Sequence, residues 1–136
     1  MRRNLLFRVG RLAATAAGVA VLFSCDSGPK AGDVTASLAT PHQELGSVMF
    51  QVTAAAPNTI EGLTAACTGC KAFMSRVSDS EVRGIVTGPF GPGALVHVTV
   101  SNTRVPEAYT IQLLELARTD YGLTALSGST LQFPTQ

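Results

Sequence analysis

Val96-His97-Val98-Thr99-Val100 places three valines at alternate positions, with a polar residue between successive valines. A period of two is typical of a β-strand that has one buried face and one exposed face. Val48-Met49-Phe50-Gln51-Val52 repeats the pattern earlier in the chain. The two stretches therefore predict a β-protein whose core is built from valine and phenylalanine side chains.

Further short segments of similar composition are separated by turn-forming residues. They lie at residues 34–39, 59–66, 72–77, 82–87, 109–117 and 130–133. About eight short strands with turns roughly every 8 to 12 residues predict an all-β fold, a sandwich of two antiparallel sheets, with a small β-barrel as the alternative. Three glycines and two prolines in residues 88–93 predict a loop that joins the two strands of a hairpin.

The N-terminal segment has the charge pattern of an export signal. Arg2, Arg3, Arg8 and Arg11 come with no acidic residue, and residues 12–24 carry no charge. The uncharged stretch is shorter than the roughly 20 apolar residues that a transmembrane helix needs. Residues 1–24 are therefore predicted to be a signal peptide with a helical apolar region.

Leu22-Phe23-Ser24-Cys25 resembles the lipobox of bacterial lipoproteins, with Phe23 at a position that is usually small. The resemblance implies cleavage before Cys25 and a diacylglycerol joined to the Cys25 sulfur through a thioether. It implies a protein of the bacterial cell envelope that is held on a membrane by its lipid, and it does not distinguish the inner membrane from the outer. Residues 25–32 are then the lipidated cysteine and a flexible tether, and residues 33–136 the folded domain.

Two weaker resemblances concern the domain itself. Residues 105–113 resemble the late strand of immunoglobulin-like domains, which implies a structural role for Tyr109. Residues 32–41, 46–50 and 83–88 resemble small lipid-anchored envelope proteins with an immunoglobulin-like or cohesin-like sandwich. That resemblance implies a fold and a location but no substrate.

Charge argues against nucleic acid as a partner. Four of the ten basic residues precede Cys25, so the remaining chain has six basic and nine acidic residues, a formal net charge of −3. Nucleic-acid-binding domains usually carry a clustered basic face. The expected partners are instead the membrane, through the attached lipid, and an unidentified envelope protein or polysaccharide.

Cys67-Thr68-Gly69-Cys70 is a second cysteine pattern with three interpretations. An exported protein folds in an oxidising compartment, so the pair is predicted to form a disulfide across a tight turn between neighbouring strands, with Gly69 at a positive φ. The second interpretation is a redox-active pair that exchanges with substrate disulfides. The third is a zinc site completed by His42 and His97. The structural disulfide is the leading interpretation, and no cofactor or metal is expected.

Phe90, between glycines and prolines, is the candidate partner contact. It either presents its ring to a protein or sugar, or folds back to cover the edge of the sandwich. The common hydrolase and nucleotide-binding motifs are missing from the sequence. The leading hypothesis is therefore a non-enzymatic, lipid-anchored binding or structural module. The alternative is an extracytoplasmic thiol-disulfide oxidoreductase that uses Cys67 and Cys70.

Overall fold

A computed structural model describes residues 25–134 of the 136-residue chain, so the predicted signal peptide lies outside the described residues. The described part contains nine strands and one 3-10 turn, Pro106–Ala108. The strands are β1 Gly32–Ala39, β2 Leu45–Ala54, β3 Ile60–Ala65, β4 Lys71–Ser78, β5 Glu81–Phe90, β6 Gly93–Val100, β7 Tyr109–Arg118, β8 Leu123–Thr124 and β9 Thr130–Gln132.

The strands form two antiparallel sheets that face each other. The four-stranded sheet has the order β3-β6-β1-β9, and the five-stranded sheet has the order β4-β5-β2-β7-β8. The two sheets do not close into a barrel, so the predicted sandwich is confirmed and the barrel alternative is wrong. The arrangement is consistent with an immunoglobulin-like fold.

The core lies between the sheets and follows the alternation in the sequence. Val48, Phe50 and Val52 of β2 are fully buried, and the three valines of residues 96–100 on β6 are fully buried as well. Each such side chain contributes roughly 1.5–3 kcal/mol when it leaves water. The polar residues of the same strands lie on the opposite faces, as a period of two requires.

Gly84 allows the largest of these core side chains to fit. It lies directly opposite Phe50 in the β2–β5 pair. A Cβ atom at position 84 would come within 2.4 Å of Phe50 Cζ and within 2.7 Å of Leu63 Cδ1. The absence of a side chain at position 84 therefore makes room for the aromatic ring between the sheets.

The predicted hairpin around residues 88–93 is wrong. Strand β5 continues through Phe90, which pairs with Leu45, and only Gly91 and Pro92 lie outside the strands. Strands β5 and β6 also belong to different sheets. Burial of Phe90 explains the difference, because it extends β5 into the predicted loop, and the chain then crosses to the opposite sheet.

The two ends of the sandwich differ in what they carry. The first end, here called the Cys25 end, contains Gly32 paired with Val100, and its two sheets are linked by the hydrogen bond that Ile60 N donates to the Asp79 carbonyl oxygen, 2.9 Å away. The second, here called the disulfide end, contains the Cys67–Cys70 pair between the end of β3 and the start of β4. One strand length of eight residues, about 26 Å, separates them.

Candidate functional site

Cys25 is the first residue that the structure describes, and its side chain is exposed and outside any disulfide. The segment after it lies against the loop that follows β6. Arg104 Nη1 donates hydrogen bonds to the carbonyl oxygens of Asp26 at 2.6 Å and Gly28 at 2.7 Å, and Arg104 Nη2 lies 4.0 Å from the Asp26 carboxylate. These contacts hold the segment that follows Cys25 against the end of the sandwich where β6 ends.

Lys30 continues this attachment. Its carbonyl oxygen accepts hydrogen bonds from the Thr103 backbone N–H at 2.7 Å and from the Thr103 hydroxyl at 3.1 Å, and its own N–H donates to Asn102 Oδ1 at 3.2 Å. Strand β1 then starts at Gly32, one residue before the predicted start of the domain. The segment predicted as a tether therefore has defined hydrogen-bond partners at several positions, while its flexibility stays a prediction.

Tyr109 stabilises the loop that follows β6 through hydrogen bonds of its hydroxyl group. Its hydroxyl accepts a hydrogen bond from the Asn102 backbone N–H at 3.2 Å and donates one to the Asn102 carbonyl oxygen at 3.0 Å. The side chain is only 4% exposed. The structural role predicted for Tyr109 is confirmed, and through Asn102 this residue fixes the loop that holds the segment after Cys25.

Cys67 and Cys70 form a disulfide with Cα atoms 5.4 Å apart, and both pack partly buried against the core. Gly69 has φ +75°, as predicted for the turn. The expected location needs one correction: the flanking strands β3 and β4 are not neighbours in one sheet but edge strands of opposite sheets. The disulfide therefore closes the turn in which the chain crosses from one sheet to the other.

The two histidines do not meet the cysteines. His97 Nδ1 lies 2.8 Å from the Thr35 hydroxyl on the neighbouring strand, and His42 Nε2 lies 3.2 Å from the Thr124 hydroxyl. Between residues 25 and 134, no group of three or more His, Cys, Asp or Glu side chains is arranged to hold a metal ion. The zinc interpretation therefore has no geometric support.

Phe90 does not present a contact surface. It is the last residue of β5 and is 8% exposed, so its ring belongs to the core. The interpretation in which it covers the edge of the sandwich agrees with this burial. We place no partner contact at Phe90.

Tyr121 is a strongly exposed aromatic residue that the sequence pattern did not indicate. It lies in the loop between β7 and β8 and is 93% exposed. Its φ is +67°, a left-handed conformation that bulky side chains rarely adopt. No alternating pattern surrounds it, so the only signal in the sequence was an aromatic residue among the polar turn formers of residues 119–122.

The chain matches no protein-family model, no curated protein and no solved structure. In the part of the chain that the structure describes, no helix has the length and apolar character needed to cross a bilayer. The functional interpretation therefore depends on the residues themselves.

Proposed function

We propose that this protein is a bacterial lipoprotein in which lipidated Cys25 holds a β-sandwich at the surface of a cell-envelope membrane. Its role is that of a binding or structural module and not of an enzyme. The observation that carries the proposal is an exposed cysteine, outside the core and the disulfide, directly after the lipobox-like residues 22–24. An exposed thiol is accessible to the enzymes that would modify it.

Lipidation of Cys25 consists of the transfer of a diacylglyceryl group followed by cleavage of the chain. The Cys25 thiol loses its proton, and a C–S bond forms to the diacylglyceryl group of a glycerophospholipid as the C–O bond to the lipid's phosphate breaks. The headgroup leaves as a phosphate monoester, which takes up the proton. Hydrolysis of the Ser24–Cys25 peptide bond then releases residues 1–24. Each buried methylene contributes about 0.8 kcal/mol, so two acyl chains give stable anchoring where one gives only marginal binding.

Membrane attachment also gives the module an advantage in binding. A domain confined to a surface meets a partner on the same surface at a high effective concentration, so a modest affinity is sufficient.

The thiol-disulfide alternative has weaker support. Lys71 follows Cys70, but both cysteines lie in a turn between strands and not at a helix N-terminus, where low-pKa redox cysteines are common.

Mass spectrometry of the N-terminal peptide tests the proposal, because it reports both the cleavage position and the mass of the attached acyl groups. We expect the mature protein to begin at acylated Cys25, and a Cys25→Ser variant to leave the membrane fraction. The matched control is the Cys67→Ser/Cys70→Ser double variant, which removes the disulfide but keeps Cys25 and should stay in the membrane fraction. A product with residues 1–24 attached and an unmodified Cys25 would refute the proposal.

A further inference from the structure

A cavity of about 630 Å³ lies on the outer face of the five-stranded sheet at the disulfide end. Its floor contains Ser47 of β2 and Thr87 of β5, which are direct cross-strand neighbours, together with Ile85. Arg118, the last residue of β7, and Thr119 and Tyr121 of the loop that follows it also line the cavity. This volume is in the range of about 300–1,000 Å³ typical of small-molecule sites.

The loop that carries Tyr121 has a defined geometry. Arg118 N–H donates to the Gly122 carbonyl oxygen at 2.9 Å, and Tyr121 N–H donates to the Arg118 carbonyl oxygen at 3.0 Å. Gly46 permits the close approach of this loop, because a Cβ atom at position 46 would lie 2.8 Å from the Arg118 carbonyl oxygen. Tyr121 is thus held at the cavity in a left-handed conformation, although it contributes nothing to the core.

The lining combines three kinds of group. The Tyr121 ring offers a flat apolar face, Ser47 and Thr87 offer hydroxyls that both donate and accept hydrogen bonds, and Arg118 offers a guanidinium. Of the described residues that line the cavity, Arg118 is the only charged one, and its ion-pair partner Asp120, 3.6 Å away, does not line the cavity. A guanidinium matches a carboxylate in a planar, two-bonded arrangement.

We infer that this cavity binds an acidic saccharide, with a pyranose ring stacked on Tyr121 and its carboxylate paired with Arg118. The C–H face of a pyranose complements an aromatic ring, and its hydroxyls match Ser47 and Thr87. The inference deepens the proposed function and rests on it for orientation, because the cavity lies at the end of the domain opposite Cys25. Anchoring at Cys25 leaves this end accessible to a polysaccharide beyond the membrane.

The full-length product, purified in detergent, allows a direct test with digalacturonate and neutral galactobiose as a matched pair of probes. The chain has no tryptophan and two tyrosines, of which Tyr109 is 4% exposed and Tyr121 93% exposed. Acrylamide-quenchable tyrosine fluorescence therefore reports on Tyr121. We expect digalacturonate to protect this fluorescence and to bind about tenfold or more tightly than galactobiose, a difference of about 1.4 kcal/mol.

Variants studied by calorimetric titration identify the contacts. Tyr121→Ala should weaken digalacturonate binding about tenfold or more, and Tyr121→Phe should lose less because the ring remains. Arg118→Gln should remove the preference for the acidic probe, whereas Arg118→Lys should keep part of it. Leu123→Ala is the matched control, since Leu123 is 67% exposed in the adjacent strand and does not line the cavity.

Several results would overturn the inference: binding of neither probe, equal affinity for the two probes, or an equal loss in Leu123→Ala and Tyr121→Ala. Circular dichroism of each variant separates lost binding from lost folding. The membrane-retention experiment at Cys25 is independent of this titration. A protein that stays at the membrane but binds no saccharide refutes this inference alone, and a protein that binds saccharide but is never lipidated refutes the proposed anchor alone.

Discussion

Tyr109 shows how one hydroxyl can organise the Cys25 end. Its two hydrogen bonds to the Asn102 backbone are made in a nearly water-free environment, because the side chain is 4% exposed. Tyr109→Phe removes the hydroxyl and leaves both backbone groups without this partner. We expect a loss of about 1–2 kcal/mol in the free energy of unfolding, measured with urea. Tyr121→Phe, at an exposed ring, should change it by less than about 0.5 kcal/mol; equal losses in the two variants would contradict the role given to Tyr109.

Substitution of Tyr121 should have the opposite effect on the free energy of unfolding, because its backbone is strained and its ring is exposed. A left-handed conformation costs a non-glycine residue about 1–2 kcal/mol, part of which glycine recovers. Tyr121→Gly is therefore expected to raise the free energy of unfolding by about 0.5–1 kcal/mol while it weakens saccharide binding. Gly128, with φ +74°, provides the reverse control, since Gly128→Ala should destabilise the protein. A Tyr121→Gly protein that is less stable than the parent would contradict the strain argument.

The sequence predicted the structural role of Tyr109 but did not indicate the exposed position of Tyr121, and this difference has a physical reason. Tyr109 is the first residue of β7 and follows a turn that contains Pro106. The first residues of β7 alternate between apolar and polar, so the neighbouring sequence indicates that Tyr109 lies in a strand. Tyr121 lies before β8, a strand of two residues that is too short to show any alternation. Its exposure depends on how that loop packs, which is a property of the folded chain.

At the scale of the elements, alternation predicted the strands well but not their partners. Val48 and Val98 are buried as their patterns indicate, yet nothing in a period of two states which sheet a strand joins. The predicted hairpin at residues 88–93 failed for this reason. The β1–β6, β2–β5 and β2–β7 pairs also contain register shifts, which change the pairing without a clear signature in the sequence.

The disulfide turn between β3 and β4 is the element whose removal is simplest to interpret. The Cys67→Ser/Cys70→Ser double variant releases a ring of four residues, for which the loop-entropy relation gives about 2 kcal/mol. We expect a loss of that size in the free energy of unfolding and an unchanged far-ultraviolet circular dichroism spectrum, because the core residues between the sheets are untouched. The parent protein should not catalyse insulin reduction by dithiothreitol. Rapid catalysis that the double variant lacks would revive the oxidoreductase alternative.

At the scale of the whole molecule, the two ends of the sandwich should lie at different heights above the bilayer. Lipid on Cys25 would be held close to the Cys25 end, because Arg104 and Thr103 bind the segment of residues 26–30. The disulfide end, with Arg118 and the Tyr121 loop, is about 26 Å further along the strands. Fluorophores attached at opposite ends can measure this difference.

Asp79→Cys and Leu123→Cys place single labels at the Cys25 end and the disulfide end, at side chains that are both exposed. In vesicles containing brominated lipid, we expect the label at position 79 to be quenched more strongly than the label at position 123. Loss of the Asp79 ion pair with Arg76 should matter little, since exposed pairs contribute about 0–1 kcal/mol. Adding Arg104→Ala should reduce the difference between the labels, because the segment after Cys25 then acts as a longer tether, up to roughly 20 Å when extended. Equal quenching at both positions with Arg104 present would show that its contacts do not orient the domain on the membrane.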